Sequence, residues 1–385
     1  MKRLIYTSLI MTFLFILVAG GAWAAKGGKP GKPPGGNGEE GDYKVTDLGT
    51  LDGGKKSSSV ARDINGNGQV VGWSDDGQQT LATLWTVSAD GGLVDVQSLG
   101  TPDGQTSSEA YAINQAGTMV AGHAGTIEYP VPVYWNLSDS SINELQPLTD
   151  FQYGVAYDVN DKGEIAGMSI RFEGELPIYY ATLWLWDKDE NNYVPTQLPS
   201  NGEKSIAQGI NNAGDVVGMS WVWVGEHYLT HAVLWRYNGN GYEVCDLHKW
   251  EYAESHHSRA YAITDHVDGS VEITGHRSLF PAGTPLATVW IVNLSDKCDE
   301  SEPETRDLGM PVYAWDINAA GEVVGQDLST GFARPVVWPA ENGIVVLPSL
   351  KRDHGSAEGI NAGGQIVGWS QAGGGKHAVL WTKKD

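Results

Sequence analysis

The sequence predicts an all-β fold, a single seven-bladed β-propeller of four-stranded blades. Three observations predict it. One motif recurs seven times, each copy offers up to four short β-prone segments, and the first segment of the repeat region resembles the one that the last copy lacks. Short strands bounded by Gly, Asn and Asp at regular intervals are typical of such repeat β-folds.

The recurring motif reads Ala-x-x-Ile-Asn, then a short turn with Gly, then a Val/Ile pair and a second Gly. Asn can bond its own backbone two residues on, and Gly accepts the left-handed conformation of a tight hairpin. The motif therefore predicts that the first and second strands of each blade form a hairpin. Its Asn, replaced by Thr in one copy, recurs at intervals of 43 to 54 residues, at Asn65, Asn114, Asn160, Asn211, Thr264, Asn318 and Asn361.

Each copy continues into a third segment that ends in Trp. Small residues in strand one fit the crowded inner end of a radial blade, whereas a Leu/Val-Trp segment fills the wider region further out. Because the Trp repeats in every copy, we interpret it as core packing and not as a sugar-stacking site. The set is Trp85, Trp135, Trp184, Trp235, Trp290, Trp338 and Trp381.

The two ends of the repeat region complement each other. The seventh copy stops after its third segment, and the segment Tyr43–Leu51 resembles the fourth segments of other copies. We therefore expect the N-terminal strand (Tyr43–Leu51) to complete the last blade and close the ring, which removes exposed sheet edges. A linear β-solenoid with capping ends is the rival architecture.

The chain ahead of the repeats predicts export. Residues 1–24 combine a positive start, an apolar stretch and Ala-Trp-Ala before a cleavage site, as in a signal peptide. Residues 25–42 form a Gly/Pro/Lys linker, and residues 43–385 form the single propeller domain. We expect a secreted protein, extracellular or periplasmic, with cell-surface association left open and no stable membrane insertion after cleavage.

The charge restricts the partners. A formal net charge of −22 repels nucleic acid and anionic membrane surfaces, so we expect neither as a partner. We expect a monomer. Cys245 and Cys298 can pair in an oxidising compartment, but sequence leaves their separation, and so the disulfide, open.

The Asp-Ile-Asn…Gly-Val-Val-Gly core, followed by His-Ala-Val-Leu-Trp, resembles the HAF repeat family of bacterial extracellular repeat proteins. His231-Ala232 and His377-Ala378 match the naming tripeptide of that family, with Val in place of Phe. The other copies replace the His by Leu, Tyr, Arg or Val. The resemblance spans nearly everything after the linker. It implies export and a repeat β-fold, and it brings no catalytic residues.

Two positions vary in chemistry from copy to copy and are the candidate ligand-binding positions. Each set is expected to form a ring near a mouth of the channel, where aromatic, Arg, Gln, Glu and His side chains suit a glycan or a peptide. The alternative is that these residues fill gaps between blades. The strand-one set is Arg62, Tyr111, Tyr157, Gln208, Tyr261, Trp315 and Glu358, and the strand-two set is Trp73, His123, Met168, Met219, His276, Gln326 and Trp369.

Two weaker patterns concern metals. Asp63, Asn65 and Asn67 before Gly68 resemble the start of a calcium loop, although the hairpin turn explains the same residues. His248, His256 and His257 are a second potential set, but adjacent histidines on an extended chain rarely point the same way. We therefore expect no cofactor, with calcium left open.

No catalytic signature of the nucleophile-elbow, zinc-protease or phosphate-loop type occurs in the chain. This favours a secreted or cell-surface recognition protein without catalytic activity, whose ligand is a glycan or an extracellular protein. The alternative is a polysaccharide-acting enzyme, hydrolase or lyase, in which acidic residues of different blades meet near the axis. A structural component of the extracellular matrix is a further alternative. The 47 acidic residues allow too many pairs for sequence to select one.

Overall fold

A computed structural model describes residues 42–54, 56–248, 256–266, 268–279, 283–298, 302–340 and 343–384. Within these ranges the chain forms seven four-stranded antiparallel sheets arranged as the blades of a ring. The predicted seven-bladed β-propeller is therefore confirmed. The predicted signal peptide and the predicted linker, up to residue 41, lie outside the described residues. None of the described residues belongs to a helix long and apolar enough to cross a membrane.

In the first six blades the four strands follow one another along the chain, and the first strand of each lies nearest the axis. The first blade consists of β2 (Ser59–Ile64), β3 (Gln69–Asp75), β4 (Thr80–Val87) and β5 (Leu93–Ser98). The second consists of β6 (Ser108–Ile113), β7 (Met119–Ala124), β8 (Val131–Asn136) and β9 (Ser141–Glu144). The third consists of β10 (Tyr153–Val159), β11 (Ile165–Glu173), β12 (Leu176–Asp187) and β13 (Asn192–Gln197). The fourth blade consists of β14 (Lys204–Ile210), β15 (Val216–Val224), β16 (His227–Tyr237) and β17 (Tyr242–Asp246). The fifth consists of β18 (His256–Ile263), β19 (Ser270–Leu279), β20 (Leu286–Asn293) and β21 (Glu304–Gly309). The sixth consists of β22 (Val312–Ile317), β23 (Val323–Asp327), β24 (Arg334–Trp338) and β25 (Val345–Val346).

The seventh blade joins the two ends of the repeat region. It comprises β26 (Gly355–Ile360), β27 (Ile366–Gln371), β28 (Lys376–Lys383) and, as its outer strand, β1 (Tyr43–Gly49). Strand β1 pairs antiparallel with β28, with Tyr43 opposite Lys383. The N-terminal strand thus completes the last blade, as predicted, and the ring has no open edge at that junction.

Every innermost strand carries a β-bulge at the same position of the motif. In β2 the register shifts between Ala61 and Asp63, so that Arg62 has no partner in β3. A bulge redirects the extra residue and increases the local twist. The seven bulged residues are Arg62, Tyr111, Tyr157, Gln208, Tyr261, Trp315 and Glu358.

The second Gly of the motif is required by the bulge. Gly72 of β3 lies opposite Ala61, and a Cβ at Gly72 would overlap the carbonyl oxygen of Val60. The same overlap would occur between Gly218 and the carbonyl oxygen of Ile206 in the fourth blade. Only glycine allows the two backbones to approach this closely.

The Trp residues that end strand three are packed in the core between blades, which confirms their structural interpretation. All seven are at most 4 % exposed. In four of them the indole N–H donates to a backbone carbonyl ahead of its own blade, as Trp184 does to Gln146 at 2.7 Å and Trp338 to Leu308 at 3.1 Å. Burial of an indole with its donor satisfied adds specificity to the apolar contact.

The Asn of the motif joins neighbouring blades. The Oδ1 of Asn211 accepts backbone N–H groups of its own turn, and its Nδ2 donates to the carbonyl of Thr264 in the next blade at 3.1 Å. Asn361 of the last blade donates in the same way to Asn65 of the first at 3.0 Å. The amide therefore both forms the hairpin and connects the blades, which explains its repetition.

A disulfide bond joins two blades on their outer side. Cys245 lies in β17 and Cys298 follows β20, and their α-carbons are 4.7 Å apart. The pairing that sequence left open is therefore present in the fold.

Candidate functional site

A cavity of about 360 Å³ lies on the axis of the ring, and we call it the axial cavity. Its wall is formed by the ends of the innermost strands, and its rim by the hairpin turns that follow them, such as Asn114-Gln115 and Asn211-Asn212. The cavity therefore opens on the face that carries the turns between strands one and two. Its volume lies within the range of about 300 to 1,000 Å³ that is usual for ligand pockets.

The structure brings the whole strand-one set together in this cavity. All seven residues line it, and all seven are the bulged residues of their strands. The bulge explains the placement, because it turns toward the axis a side chain that regular pleating would direct differently. The prediction of a ring near a channel mouth matches this placement, and ligand binding by its members stays a prediction.

One sector of the wall is charged. A guanidinium nitrogen of Arg62 donates to Glu358 Oε2 at 3.1 Å, and each side chain is 15 % exposed. Burial is the largest single influence and lowers the pKa of the Arg62 guanidinium, but Glu358, Glu109 and Tyr111 together outweigh it, so the pKa is raised. Arg62 also lies 5.9 Å from the ring centre of Tyr111.

The remainder of the wall is largely aromatic. The rings of Tyr111 and Tyr157 are 5.3 Å apart, and those of Tyr261 and Trp315 are 4.8 Å apart. Burial raises the pKa of Tyr157 and of Tyr261, so both phenols are neutral at physiological pH and can donate hydrogen bonds.

Two donors in the wall lack partners. The side-chain nitrogens Gln208 Nε2 and Trp315 Nε1 are buried, and neither has a hydrogen-bond partner within the described ranges. Unpaired buried donors are costly in a folded protein, and a bound ligand or an ordered water is the usual means of satisfying them. Both residues belong to the cavity wall, but the two nitrogens themselves are buried, so a side chain must shift before a ligand in the cavity can accept from either of them.

Three aspartates line the cavity beside the ring, and sequence did not single them out as a group. Asp63, Asp158 and Asp316 stand two residues after the motif Ala, where the other copies have Ala or Gly. One oxygen of each accepts the backbone N–H of a residue in the next blade at 2.8 Å, the donors being Ile113, Ile210 and Ile360. The available signal was the alternation of Asp with small residues at one position of the repeat.

The pKa values of these three carboxyl groups are raised. Burial raises the pKa of Asp63 to about 6, that of Asp158 to about 7 and that of Asp316 to about 8. The charge of Asp63 adds to the last two shifts, and the backbone N–H groups oppose all three. Because the side chains border the cavity, solvent there moderates the effect of burial.

The strand-two set lies elsewhere. Its members pack behind the innermost strands, and they are absent from the described residues that line the cavity. His123 stacks on Tyr111 at 5.7 Å, and His276 Nδ1 lies 3.2 Å from the hydroxyl of Tyr261, so both support the wall from behind. Burial lowers the pKa of both imidazoles. The others are Trp73, Met168, Met219, Gln326 and Trp369, of which the last four are at most 4 % exposed.

The residues of the two metal patterns take part in turn contacts and backbone hydrogen bonds, and calcium binding stays a prediction. Asp63 accepts backbone N–H groups of Ile64 and Ile113, and Asn65 Oδ1 accepts those of Asn67 and Gln69, as in a hairpin turn. In the second set, His257 Nδ1 accepts the N–H of Thr230, and the His256 side chain lies outside the described part. Among the described residues, no group of three or more His, Cys, Asp or Glu is placed to hold a metal ion.

Comparison with known proteins supports the fold. No family model and no curated protein matches the chain, so the resemblance to the HAF repeat family stays a prediction. A solved oligogalacturonate lyase in complex with manganese is 12 % identical, with a TM-score of 0.55 over 89 % of this chain and 93 % of that one. The oligogalacturonate lyase of Vibrio parahaemolyticus is 11 % identical, with a TM-score of 0.54 over 88 % of this chain and 93 % of that one.

A third similar structure is the acylaminoacyl peptidase of Pyrococcus horikoshii, at 12 % identity and a TM-score of 0.52. The match covers 87 % of this chain and 52 % of the peptidase. At such identities the likeness establishes the propeller fold alone.

These neighbours correct the functional expectation drawn from sequence. The expected protein was a non-catalytic recognition module, whereas the neighbouring propellers belong to a lyase and a peptidase. These neighbours speak against that expectation, and the alternative of an enzyme becomes a proposal for this chain. The expectation relied on the absence of linear catalytic motifs, and carboxyl groups brought together from different blades, such as Asp316 and Glu358, form no linear motif.

Proposed function

We propose that the chain is an enzyme that hydrolyses a polysaccharide, and that the reaction takes place in the axial cavity. One observation carries the proposal: Asp316 and Glu358, two carboxyl groups with different environments, line this cavity from neighbouring strands. The backbone N–H of Ile360, two residues after Glu358, donates to Asp316 at 2.8 Å, and this bond fixes the position of β22 relative to β26. Two carboxyl groups held in different protonation states are the usual equipment for glycoside cleavage.

The environments of Asp316 and Glu358 suggest which carboxyl group is the general acid and which is the general base. A pKa of about 8 keeps Asp316 protonated at neutral pH, so it is the general acid. Glu358, whose Oε2 accepts a hydrogen bond from the Arg62 guanidinium at 3.1 Å, takes the role of general base. Asp316 gives its proton to the glycosidic oxygen as the bond to the anomeric carbon breaks. A water molecule adds to that carbon and gives a proton to Glu358, and solvent exchange then restores both groups.

The aromatic part of the wall suits a sugar. Tyr111, Tyr157, Tyr261 and Trp315 offer ring faces for the C–H surfaces of a pyranose. A small rotation of the Gln208 or Trp315 side chain would bring its unpaired, buried N–H to a hydroxyl oxygen of the sugar. These contacts orient the substrate and displace water from the cavity.

The test is a panel of soluble polysaccharides incubated with purified protein, with products separated by size. New reducing ends are expected, and no unsaturated product that absorbs ultraviolet light. Asp316→Asn and Glu358→Gln should each lower the rate by about a hundredfold or more, the usual contribution of a general acid or base. Glu144→Gln, an exposed carboxylate at the end of β9, is the matched control and should leave the rate unchanged. An unsaturated product would show a lyase, and full activity of both variants would exclude this site.

We further propose that the enzyme acts outside the cytoplasm. The predicted signal peptide supports this, and so does the Cys245–Cys298 disulfide, since disulfides persist in oxidising compartments. The mature N-terminus of protein recovered from the periplasm or the medium tests the point. We expect it to follow Ala24, and an intact N-terminus in the cytoplasm would contradict export.

A further inference from the structure

We propose that the substrate of the axial cavity is a glycan with cationic amino-sugar units, and that glycans rich in carboxylate are excluded. This inference rests on the proposed function, since it names the substrate class of the same cavity. It follows from the charges of the wall and rim, from the state of the cavity's guanidinium group, and from the aromatic surfaces beside them.

Carboxyl groups dominate the lining. Among the described residues that border the cavity, the cationic side chain is that of Arg62, and six side chains are acidic. Even when Asp63, Asp158 and Asp316 all hold their protons, the three other acidic side chains outnumber the guanidinium group. The acidic set is Asp63, Asp158, Asp161, Asp265, Asp316 and Glu358.

The guanidinium group of Arg62 already has partners within the cavity wall. Its guanidinium bonds Glu358 at 3.1 Å and faces the ring of Tyr111. A substrate carboxylate would have to compete with Glu358 for it, and the competing Glu358 carboxylate would then repel that substrate. Sites that recognise carboxylates use an available guanidinium or ammonium group, which the described lining does not offer.

The rim adds fixed negative charge where a substrate enters. Asp161 accepts the backbone N–H of Ala116 at 2.7 Å, and Asp265 accepts that of Asn212 at 2.7 Å. The side chain of Asn212 donates to both carboxylates, at 3.3 Å and 3.0 Å. Both aspartates are exposed at the mouth, so their field reaches approaching ligands and concentrates cations there.

The aromatic faces reinforce the preference for a cation. An ammonium group is attracted to the face of a tyrosine or tryptophan ring, and Tyr157, Tyr261 and Trp315 lie within the same wall as the carboxylates. The formal charge of the whole chain, −22, has the same sign as the cavity. An oligogalacturonate carries a carboxylate on each sugar, so the substrate named by two of the similar structures does not suit this cavity.

Calorimetric titration in mildly acidic buffer of low salt tests the proposal with three oligosaccharides of equal length. One is built of glucosamine, one of N-acetylglucosamine and one of galacturonate. The glucosamine oligomer should bind about tenfold more tightly than the acetylated one, a difference that one screened ion-pair interaction supplies. The galacturonate oligomer should show no binding, and added salt should reduce the preference for glucosamine.

The rim variant Asp161→Asn/Asp265→Asn should lose most of that preference. Asp95→Asn/Asp103→Asn removes the same charge at two exposed residues outside the lining and should keep it. Equal binding of the glucosamine and acetylated oligomers, tighter binding of galacturonate, or no binding of any oligomer would overturn the inference. Cleavage of galacturonate chains would refute it and leave the proposed enzyme standing. Binding of glucosamine without cleavage of any glycan would refute the enzyme and leave the inference standing.

Discussion

The guanidinium of Arg62 donates to the carboxylate of Glu358 at 3.1 Å across the junction between the first and the last blade. The two residues are 296 positions apart in the chain. At the same junction Asn361 donates to the carbonyl of Asn65 at 3.0 Å. The closure of the ring therefore includes an ion pair that also belongs to the candidate active site.

The first prediction concerns this ion pair. Arg62→Met leaves Glu358 as an uncompensated, largely buried carboxylate, so the free energy of unfolding should fall by about 2 to 4 kcal/mol. Glu358→Gln, added to that variant, should restore part of the loss because the unpaired charge is removed. Urea unfolding of the single and double variants measures both effects. Strictly additive losses would show that the two residues do not interact.

The second prediction concerns pH. The folded-state pKa values of Asp63, Asp158 and Asp316, about 6, 7 and 8, lie above the ordinary value of 3.8. The folded chain therefore holds protons that the unfolded chain has released. The stability linked to these groups is fully present below about pH 4 and is lost as the pH rises through 6 to 8.

The buried imidazoles of His123 and His276 act in the opposite direction, because burial lowers their pKa. The measurement is therefore the difference between the wild type and Asp158→Asn/Asp316→Asn in melting temperature across this pH range. From the acidic to the alkaline end of this pH range, the unfolding free energy of the variant relative to that of the wild type should rise by about 1 to 2 kcal/mol per substituted residue. This figure is smaller than the pKa shifts alone would give, because solvent in the cavity screens the carboxyl groups. Asp95→Asn, an exposed control, should follow the wild type. Parallel curves for all three proteins would contradict the raised pKa values.

The third prediction concerns the strand-two glycine. Gly218→Ala places a methyl group against the carbonyl oxygen of Ile206, so one backbone must move and the bulge at Gln208 is disturbed. We expect a loss of about 2 to 4 kcal/mol in unfolding free energy. At Gly66 the nearest atom to an added Cβ is Gln115 Oε1, at 3.8 Å, so Gly66→Ala should be nearly neutral. Equal effects of the two substitutions would argue against the bulge geometry.

The fourth prediction concerns the disulfide. The bond between Cys245 and Cys298 closes a loop with a sequence separation of 53 residues. Its removal by Cys245→Ser/Cys298→Ser should cost about 2 to 4 kcal/mol of stability. A reducing agent should lower the melting temperature of the wild type and leave that of the double variant unchanged. A wild type insensitive to reduction would contradict the pairing.

Much of the fold could be predicted because its elements repeat. The Asn hairpin, the Trp-ending strand and the segment that completes the seventh blade recur as local patterns, and each confers the same structural role wherever it occurs. The Gly of the hairpin turn was predicted from its conformational freedom. The requirement for the second Gly of the motif, as at Gly72 in strand two, depends on a bulge in the partner strand that local patterns do not show.

The site was predictable only in part. Variation between copies identified two sets of residues without distinguishing them. The strand-one set lines the cavity, whereas the strand-two set packs behind its wall. Both sets vary for reasons that are visible only once strand order and bulges are known. The raised pKa of Asp316 depends on burial and on the charge of Asp63, which is far away in the chain but only two blades further round the ring. Pairs of this kind are formed by ring closure, and a linear motif cannot encode them.

A crystal structure of Glu358→Gln with an oligosaccharide substrate bound tests most directly the claim that the axial cavity is the active site. We expect a sugar in the axial cavity, with the carboxyl group of Asp316 about 3 Å from a glycosidic oxygen and the rings of Tyr157, Tyr261 or Trp315 against sugar faces. An oligosaccharide bound at another surface, with the axial cavity holding only water, would contradict the claim.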